Sequence, residues 1–466
     1  MMLRSTSWAA LLFAFPLWAS IAPPAGWVPA RWNGTEPRSL DLLSGTPINC
    51  LLVATYTPEF VSQAAAHGIA TLAVLKPGAD PADPARKAIR DGLEGIVLEG
   101  DFPAGTAARV RDLLANTHAI VVELTSRSRM PLGGSEPIVG TYQGVWPGIQ
   151  VLENGAAKAA PSGSPWIDTN TGFIHAVRAW GPASVWLGYL PPAHNIITGE
   201  RYQAAIADAE IGGARWIVAL DDDFSARLER SEAAALKDWH AMARVLQFFE
   251  SHPEWRTLRP YGKLAVVEDH DDALLSGGIL DMIAAKHTPT RAIPGQRLTP
   301  ESLAGATMAV DVDSASLTPE QRETLKNFAR AGGTVLTAPP GWKGQSALQP
   351  GQITLDTAEL ERLNDIWHDV QTMTGRKNLG ARLFNVSSML SNVLSSNDGK
   401  QVVVELVNYS AYPIENVDVQ VLGTFKHAQL ITPDGIQKDL EVYVTDEGGT
   451  GVDIDRVSAC ATVRLD

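Results

Sequence analysis

Four stretches of the chain join an apolar run to carboxylates at its end, and they decide the fold. They are Gly95-Ile96-Val97-Leu98-Glu99-Gly100-Asp101, Ala119-Ile120-Val121-Val122-Glu123, Pro165-Trp166-Ile167-Asp168, and Trp216-Ile217-Val218-Ala219-Leu220-Asp221-Asp222-Asp223. A run that is apolar at every position indicates a strand buried on both faces, as in parallel sheets flanked by helices. In such sheets the chemistry gathers at the carboxyl ends of the strands. The four stretches therefore predict a polar site at that end.

Strand-like and helix-like segments alternate on both sides of these stretches, through residues 27–255. Helical patterns separate eight predicted strands, which are Ile48–Val53, Ile69–Leu75, Gly95–Glu99, Ala119–Leu124, Ile138–Gln143, Trp166–Asn170, Ser184–Tyr189 and Arg215–Leu220. The long pattern Leu228–Phe249 predicts a single helix. Eight β/α units are the pattern of a (β/α)8 barrel.

Two further patterns follow the predicted barrel. Residues 260–345 contain a strand, an amphipathic helix opened by Pro319-Glu320 and a second strand after Gly332-Gly333, which predicts a small flavodoxin-like α/β domain. Residues 380–466 show short alternating strands separated by turns such as Asn397-Asp398-Gly399. That pattern predicts a C-terminal β-sandwich.

Composition narrows the classes of function. The net charge of −14 argues against nucleic acid and against an anionic membrane as partners. The chain lacks zinc-ligand spacing, a Gly-x-Gly-x-x-Gly run and a phosphate-binding loop, so we expect no metal and no cofactor. Cys50 and Cys460 lie far apart in the sequence, and we expect two buried free thiols.

The N-terminus combines Arg4, an apolar run from Trp8 to Trp18 and small residues up to Ala22. This order predicts a signal peptide over residues 1–22 and a secreted or periplasmic protein, with no membrane association after processing. The 13 Trp outnumber both the 8 Tyr and the 11 Phe. Most large aromatic residues fill cores, but some could line a sugar-binding cleft.

The order of the three domains resembles bacterial β-galactosidases that carry a trimerisation domain between barrel and sandwich. Two segments carry the resemblance. The first, Leu317-Thr318-Pro319-Glu320 with Phe328-Ala329-Arg330-Ala331-Gly332-Gly333-Thr334-Val335, looks like their glutamine-amidotransferase-like middle domain. The second, Val403-Val404-Glu405-Leu406-Val407-Asn408-Tyr409 with Leu430-Ile431-Thr432-Pro433-Asp434-Gly435, looks like the terminal sandwich. The resemblance implies a glycoside hydrolase and a homo-oligomer formed through the middle domain. Because that domain has no Cys nucleophile, we expect it to be non-catalytic.

The predicted site departs from that family. Its two catalytic glutamates end strands four and seven of the barrel, and the predicted seventh strand here ends without a carboxylate. A pair on strands four and six instead resembles α-galactosidase-like barrels. Glu123 and Asp168 would supply that pair, as catalytic residues.

Other candidates surround the pair. Glu99 or Asp101 could bind sugar hydroxyls or replace Asp168, and Asp168 could equally cap the following helix. Glu123 could instead form an ion pair with Arg127 or Arg129. The full predicted substrate-binding set is Glu99, Asp101, Tyr142, Trp146, Asn170, Tyr189, Asp221 and Asp222.

The sequence leaves three functions open. The first is a secreted glycoside hydrolase acting on an oligo- or polysaccharide. The second is a non-catalytic carbohydrate-binding or scaffold protein derived from such a barrel. The third is a lyase or esterase, with His175 or Tyr142 as the base.

Overall fold

The structure is a computed structural model. It describes residues 23–147, 149–151, 156–159, 169–191, 195–268, 280, 288–337, 368–370, 372–375, 378, 380–386, 388–446 and 448–466. For residues 149–151 and 156–159 it describes the backbone only. The predicted signal peptide and Asp168 lie outside these residues.

The N-terminal part is a (β/α)8 barrel, as the sequence predicts. Eight parallel strands follow one another around the sheet. They are β1 (Pro29–Arg31), β2 (Cys50–Val53), β3 (Ala70–Leu75), β4 (Gly95–Glu99), β5 (Ile120–Thr125), β6 (Ile138–Thr141), β9 (Ser184–Leu187) and β11 (Arg215–Trp216). A parallel bridge between Ala30 and Val218 closes the barrel, with Arg31 N–H donating to the Val218 carbonyl at 2.7 Å.

The prediction of the strands contains two errors. The first barrel strand is Pro29–Arg31, which the prediction misses because three residues beginning with Pro carry almost no strand signal. The predicted strand Trp166–Asn170 is wrong in its described part, because β6 pairs directly with β9 and leaves no place between them. Glu123 therefore lies on the fifth barrel strand, and Glu99 ends the fourth.

Helices connect the barrel strands on the outside. They are α1 (Pro58–Ala66), α2 (Ala82–Arg90), α3 (Thr106–Leu114), α4 (Thr171–Ala179), α5 (Gly199–Ile211), α6 (Asp222–Glu229) and α7 (Ala233–Glu250). The first begins where Thr57 caps the N–H of Phe60 and Pro58 occupies the first turn. Three short strands, β7 (Ile149–Val151), β8 (Ala156–Ala159) and β10 (Ile196–Ile197), form a small separate sheet.

The described part of the middle domain contains four parallel strands. They are β13 (Leu264–Glu268), β14 (Thr290–Pro294), β15 (Met308–Asp311) and β16 (Thr334–Thr337), in the order β14-β13-β15-β16. That order corresponds to the flavodoxin-like order 2-1-3-4. Helix α8 (Pro319–Arg330) packs on the sheet and opens with a capping box between Thr318 and Gln321.

The C-terminal domain is a β-sandwich. One antiparallel sheet contains β12 (Arg259–Pro260), β18 (Met389–Ser395), β19 (Val402–Asn408), β25 (Cys460–Leu465), β21 (Ala428–Ile431) and β22 (Gln437–Leu440). The other contains β17 (Ala381–Phe384), β20 (Ile414–Val421), β24 (Thr450–Val457) and β23 (Val442–Val444). Cys50 and Cys460 are both buried and free, as expected.

Barrel and sandwich share one hydrophobic core. The largest cluster of buried side chains joins barrel residues such as Tyr202 to Val403 and Val407 of the sandwich. Helix α5 lies between the two and is buried on nearly all sides. The Tyr409 hydroxyl of the sandwich donates to the buried Asp208 carboxylate of α5 at 2.7 Å. The barrel is therefore held in a fixed position against the sandwich.

Candidate active site

Along each barrel strand, successive side chains point alternately into the barrel and toward the surrounding helices. Val97, Leu124 and Trp186 belong to the cluster that fills the barrel interior. Glu99 follows Val97 by two positions on β4, so its side chain also points inward, at the carboxyl end. This parity decides which of the predicted carboxylates can share a site.

Glu99 forms the centre of the polar group in the barrel mouth. Arg31 of β1 donates to both of its carboxylate oxygens, one of them at 2.9 Å. Lys76, just after β3, lies 2.8 Å from Oε2. Because β1 and β4 are not neighbours in the sheet, the Arg31 side chain reaches across the interior.

The surroundings of Glu99 keep it ionised. Burial by itself would raise its pKa, since only 4% of the side chain is exposed. The charges and hydrogen bonds of Arg31 and Lys76 outweigh that effect and lower the pKa of Glu99. The group can thus act as an anion at neutral pH, and it cannot serve as a proton donor there.

The turn after β4 brings a second carboxylate to the same end. Gly100 has a φ of 119°, and a Cβ on it would lie 2.7 Å from the Pro77 ring. Asp101 then accepts the N–H of Ser126 at 2.9 Å, and Arg129 approaches it to 4.0 Å. Asp101 is one-third exposed, so the mouth offers a solvent-accessible carboxylate close to the buried one.

Tyr142 follows β6 and is half-buried beside Asp101. Burial, together with the charge of Asp101 and a hydrogen bond to it, raises the pKa of Tyr142. A raised pKa makes a tyrosinate base harder to form, which disfavours Tyr142 as the base of a lyase. His175, the other candidate base, lies within helix α4.

Glu123 lies on the other side of the sheet from this group. Val122 and Leu124 point into the barrel, so Glu123 points outward to helix α3. There Arg111 donates to its Oε1 at 2.6 Å, and Arg111 also lies 3.4 Å from Glu136. This placement argues against the predicted catalytic role of Glu123. The expectation of an ion pair is right in kind, but the partner is Arg111 and not Arg127 or Arg129.

Asp168 lies outside the described residues, and Asn170 is the nearest predicted site residue that the structure describes. Asn170 is fully buried, and its side chain links several segments of the barrel. Its side chain accepts from Val145 N–H and from Arg127, and it donates to the Val145 carbonyl and to Asp208. With its amide oxygen and nitrogen both engaged, Asn170 is structural in this geometry.

Trp146 lies in the core and not on a cleft wall. It is 4% exposed and packs edge-on against Trp216 and Tyr202, with ring centroids 5.1 and 5.4 Å apart. The guanidinium of Arg201 lies 5.9 Å from the ring. The loop that carries Trp146 packs on α5, which argues against the predicted substrate-binding role of Trp146.

Asp221 and Asp222 begin helix α6. The buried Asp221 caps the helix at Phe224 N–H and also accepts from Ile197 N–H and the Tyr202 hydroxyl. Asp222 is exposed in the first turn. Both therefore lie at the start of the helix. Tyr189, after β9, is half-buried and packs against the barrel core.

Arg31 and Lys76 are the site residues that sequence reasoning missed. Lys76 follows the apolar strand Ala70–Leu75 directly, just as Tyr142 follows β6. A search for cations as well as carboxylates at strand ends would have found it. Arg31 could not be found in that way because its strand was not predicted.

The described part of the chain holds no group of three or more metal-ligating side chains. Among the residues that the structure covers, no helix is long and apolar enough to span a bilayer. A small pocket of about 80 Å³ opens beside Arg31, lined by Trp32, Leu190 and Leu220 among others. It is smaller than the roughly 300 Å³ of the smallest usual ligand pockets.

No protein-family model and no curated protein matches the sequence. Among solved structures, the chain is similar to the α-L-fucosidase isoenzyme 2 from Paenibacillus thiaminolyticus, with a TM-score of 0.63 and 8% identity over 96% of this chain and 98% of that one. At that identity the likeness shows a shared fold. The catalytic module of a family 98 glycoside hydrolase from Streptococcus pneumoniae matches 96% of this chain and 100% of that one at 6% identity. Its TM-score of 0.39 is too low to support an argument.

Proposed function

We propose that this protein is a glycoside hydrolase that acts on an oligo- or polysaccharide at the carboxyl end of its barrel. The observation that carries the proposal is the buried, ionised Glu99 on the fourth strand, with Asp101 and Tyr142 beside it. The fold shared with a fucosidase supports a carbohydrate substrate.

Glycoside cleavage needs one carboxyl group that is ionised and one that donates a proton to the leaving oxygen. Glu99 is suited to the first role, because Arg31 and Lys76 favour its charged form. It would stabilise or attack the positive sugar carbon of the transition state. The proton donor must then be another carboxyl group, and we propose Asp168, with Asp101 as the alternative.

Substitution of each carboxylate tests the proposal. The wild type is first screened on a panel of aryl glycosides and polysaccharides. On whatever it cleaves, Glu99→Gln should lose turnover by about 10³-fold or more. Glu123→Gln is the matched control, since it removes a carboxylate on the helix side, and it should retain more than about a tenth of the turnover, a change below about 1.4 kcal/mol.

Because Glu99 is an ion-pair partner, its substitution could disturb folding. Addition of azide or formate to Glu99→Ala separates the two effects, since a small anion can replace a missing catalytic carboxylate and restores activity only in a folded site. A folded Glu99→Gln protein with wild-type turnover would remove Glu99 from the mechanism. Loss of turnover in Asp168→Asn or in Asp101→Asn would identify the proton donor.

A second candidate function is a non-catalytic carbohydrate-binding protein. The observation that favours it is the engagement of both Glu99 oxygens by Arg31 and Lys76, which leaves the carboxylate less able to attack a sugar. A wild type that binds oligosaccharides in calorimetry but cleaves none of the panel would support this function.

We propose that residues 1–22 direct secretion and that the middle domain is non-catalytic and forms a homo-oligomer contact. N-terminal sequencing of the exported protein tests the first. Sedimentation of the full chain tests the contact.

A further inference from the structure

A pocket of about 440 Å³ lies between the middle domain and the sandwich. Three arginines contribute to its lining, which is Arg259, Arg291 and Arg297 with Ser395, Ser396 and Asn397 among others. Strand β12 carries Arg259 and pairs with β18, so Arg259 lies opposite Ser395. Strand β14 carries Arg291. The volume is in the range of roughly 300–1,000 Å³ that is usual for ligand pockets.

The three arginines differ in how many of their hydrogen-bond donors already have partners within the protein. Arg297 donates to the carbonyls of Ala179 and Trp180 at the end of α4, which ties the middle domain to the barrel. Arg291 donates one N–H to the Ala304 carbonyl at 3.0 Å. In the described part of the chain, the Arg259 side chain makes no hydrogen bond or ion pair. Most guanidinium donors of Arg259 and Arg291 are therefore available.

No carboxylate neutralises the pocket within the described residues that line it. Asp398, in the adjoining turn, accepts from the Ser396 hydroxyl at 2.7 Å and lies 3.8 Å from Lys400. Burial and then the charge of Arg259 lower the pKa of Arg291. The pocket is thus a local concentration of positive charge in a chain with a net charge of −14. A bound anion would reduce the repulsion between the two arginines.

We propose that this pocket is a binding site for a small oxyanion. The guanidinium fork of arginine matches the geometry of two oxygens on one sulfate, phosphate or carboxylate. Arg259 and Arg291 would hold the anion from two sides, and the hydroxyl of Ser395 and the amide of Asn397 would supply further donors. The ligand is either a free inorganic anion or the acid group of an anionic sugar. The site is separate from the barrel mouth and does not depend on the proposed catalytic activity.

Calorimetric titration of the full chain with sodium sulfate, sodium phosphate and sodium glucuronate tests the site, at an ionic strength held constant with sodium chloride. The wild type should bind sulfate or glucuronate at one site per chain. Arg259→Gln and Arg291→Gln should each weaken that binding by about tenfold or more. Arg90→Gln is the control, because it removes an exposed arginine of helix α2 and should leave the affinity unchanged.

Arg259→Gln keeps the test decisive if Arg291→Gln fails to fold, because Arg259 is exposed and supports no other group. Tighter binding of glucuronate than of sulfate would identify an acidic sugar as the ligand, and the reverse would identify an inorganic anion. Equal affinity in the wild type and in a folded Arg259→Gln protein would overturn the proposal. So would the absence of binding of all three probes at about 50 mM, where even a weak site would be filled.

Discussion

At the scale of single residues, the parity of a position along its strand separates the two glutamates. Glu99 shares the face of Val97 and points into the barrel mouth, whereas Glu123 shares the face of Val121 and pairs with Arg111. Both end apolar runs, and both look alike in the sequence. The sequence shows the alternation only where one face is polar, and these strands are apolar on both faces.

Trp146 provides a residue-scale prediction. Trp146→Ala should lower the free energy of unfolding by about 3–5 kcal/mol, because a buried indole packed against Trp216 and Tyr202 is lost and a cavity remains. Urea unfolding followed by circular dichroism measures it. Tyr412, which is 68% exposed, provides the control, and Tyr412→Ala should cost less than about 0.5 kcal/mol. A similar loss in the free energy of unfolding for the two variants would indicate that Trp146 lines a surface cleft and does not lie in the core.

At the scale of elements, polar residues that follow strands also begin the next helix. Asp221 ends the segment after β11 and caps α6, and Thr57 and Thr318 cap α1 and α8 in the same way. In a β/α unit the residue after the strand is close to the start of a helix, so capping and catalysis call for the same residue types at the same place. The sequence could not separate these roles for Asp221.

Substitution of the neighbouring residues Asp221 and Asp222 tests the capping role of Asp221. Asp221→Ala should destabilise the protein by about 2–4 kcal/mol, since it removes the cap of α6 and leaves the buried Tyr202 hydroxyl and Ile197 N–H without an acceptor. Asp222→Ala changes an exposed residue of the first turn and should cost less than about 1 kcal/mol. Chemical denaturation compares the two. Unchanged stability in Asp221→Ala, with weaker sugar binding, would restore the substrate-binding role.

At the scale of the whole molecule, buried polar groups fix the sandwich against the barrel. Asn392 of β18 donates to the Ile211 carbonyl at the end of α5 and to Glu405 of β19. Burial raises the pKa of Glu405 to about 8, even though Asn392, Arg256 and Arg178 lower it. Glu405 is therefore largely protonated in the folded protein at neutral pH.

This shift predicts a pH-dependent stability. A carboxyl group whose pKa is raised on folding favours the folded state below its unfolded pKa and loses that contribution as the pH rises through its folded pKa. The stability of the wild type should therefore fall relative to Glu405→Gln, which stays neutral, by up to about 1.4 kcal/mol per pH unit between about pH 5 and pH 8. Melting temperatures measured across that range test it.

Glu415→Gln is the control for this experiment, because Glu415 is an exposed carboxylate of the same domain. Its difference from the wild type should stay nearly constant over the same pH range. A constant difference for Glu405→Gln as well would mean that Glu405 is ionised in the folded state.

The sequence by itself determined the fold class and most of the elements. Apolar runs, helical periodicity and turn residues act over a few neighbouring positions, and they identified β4 at its observed bounds. They failed where the local signal is weak, as in Pro29–Arg31. They also failed where one residue interrupts a pattern, as at Ser231, whose φ of 55° separates α6 from α7 within the predicted helix Leu228–Phe249.

The tertiary structure decided which predicted residues meet. Arg31 reaches Glu99 because the barrel closes and brings β1 across from β4, an arrangement between residues 68 positions apart. Trp146 and Asn170 became core residues because α5 covers them. Contacts of this kind depend on the direction of each side chain in the closed sheet and on the packing between domains. Neither can be predicted from the spacing of residues along the chain.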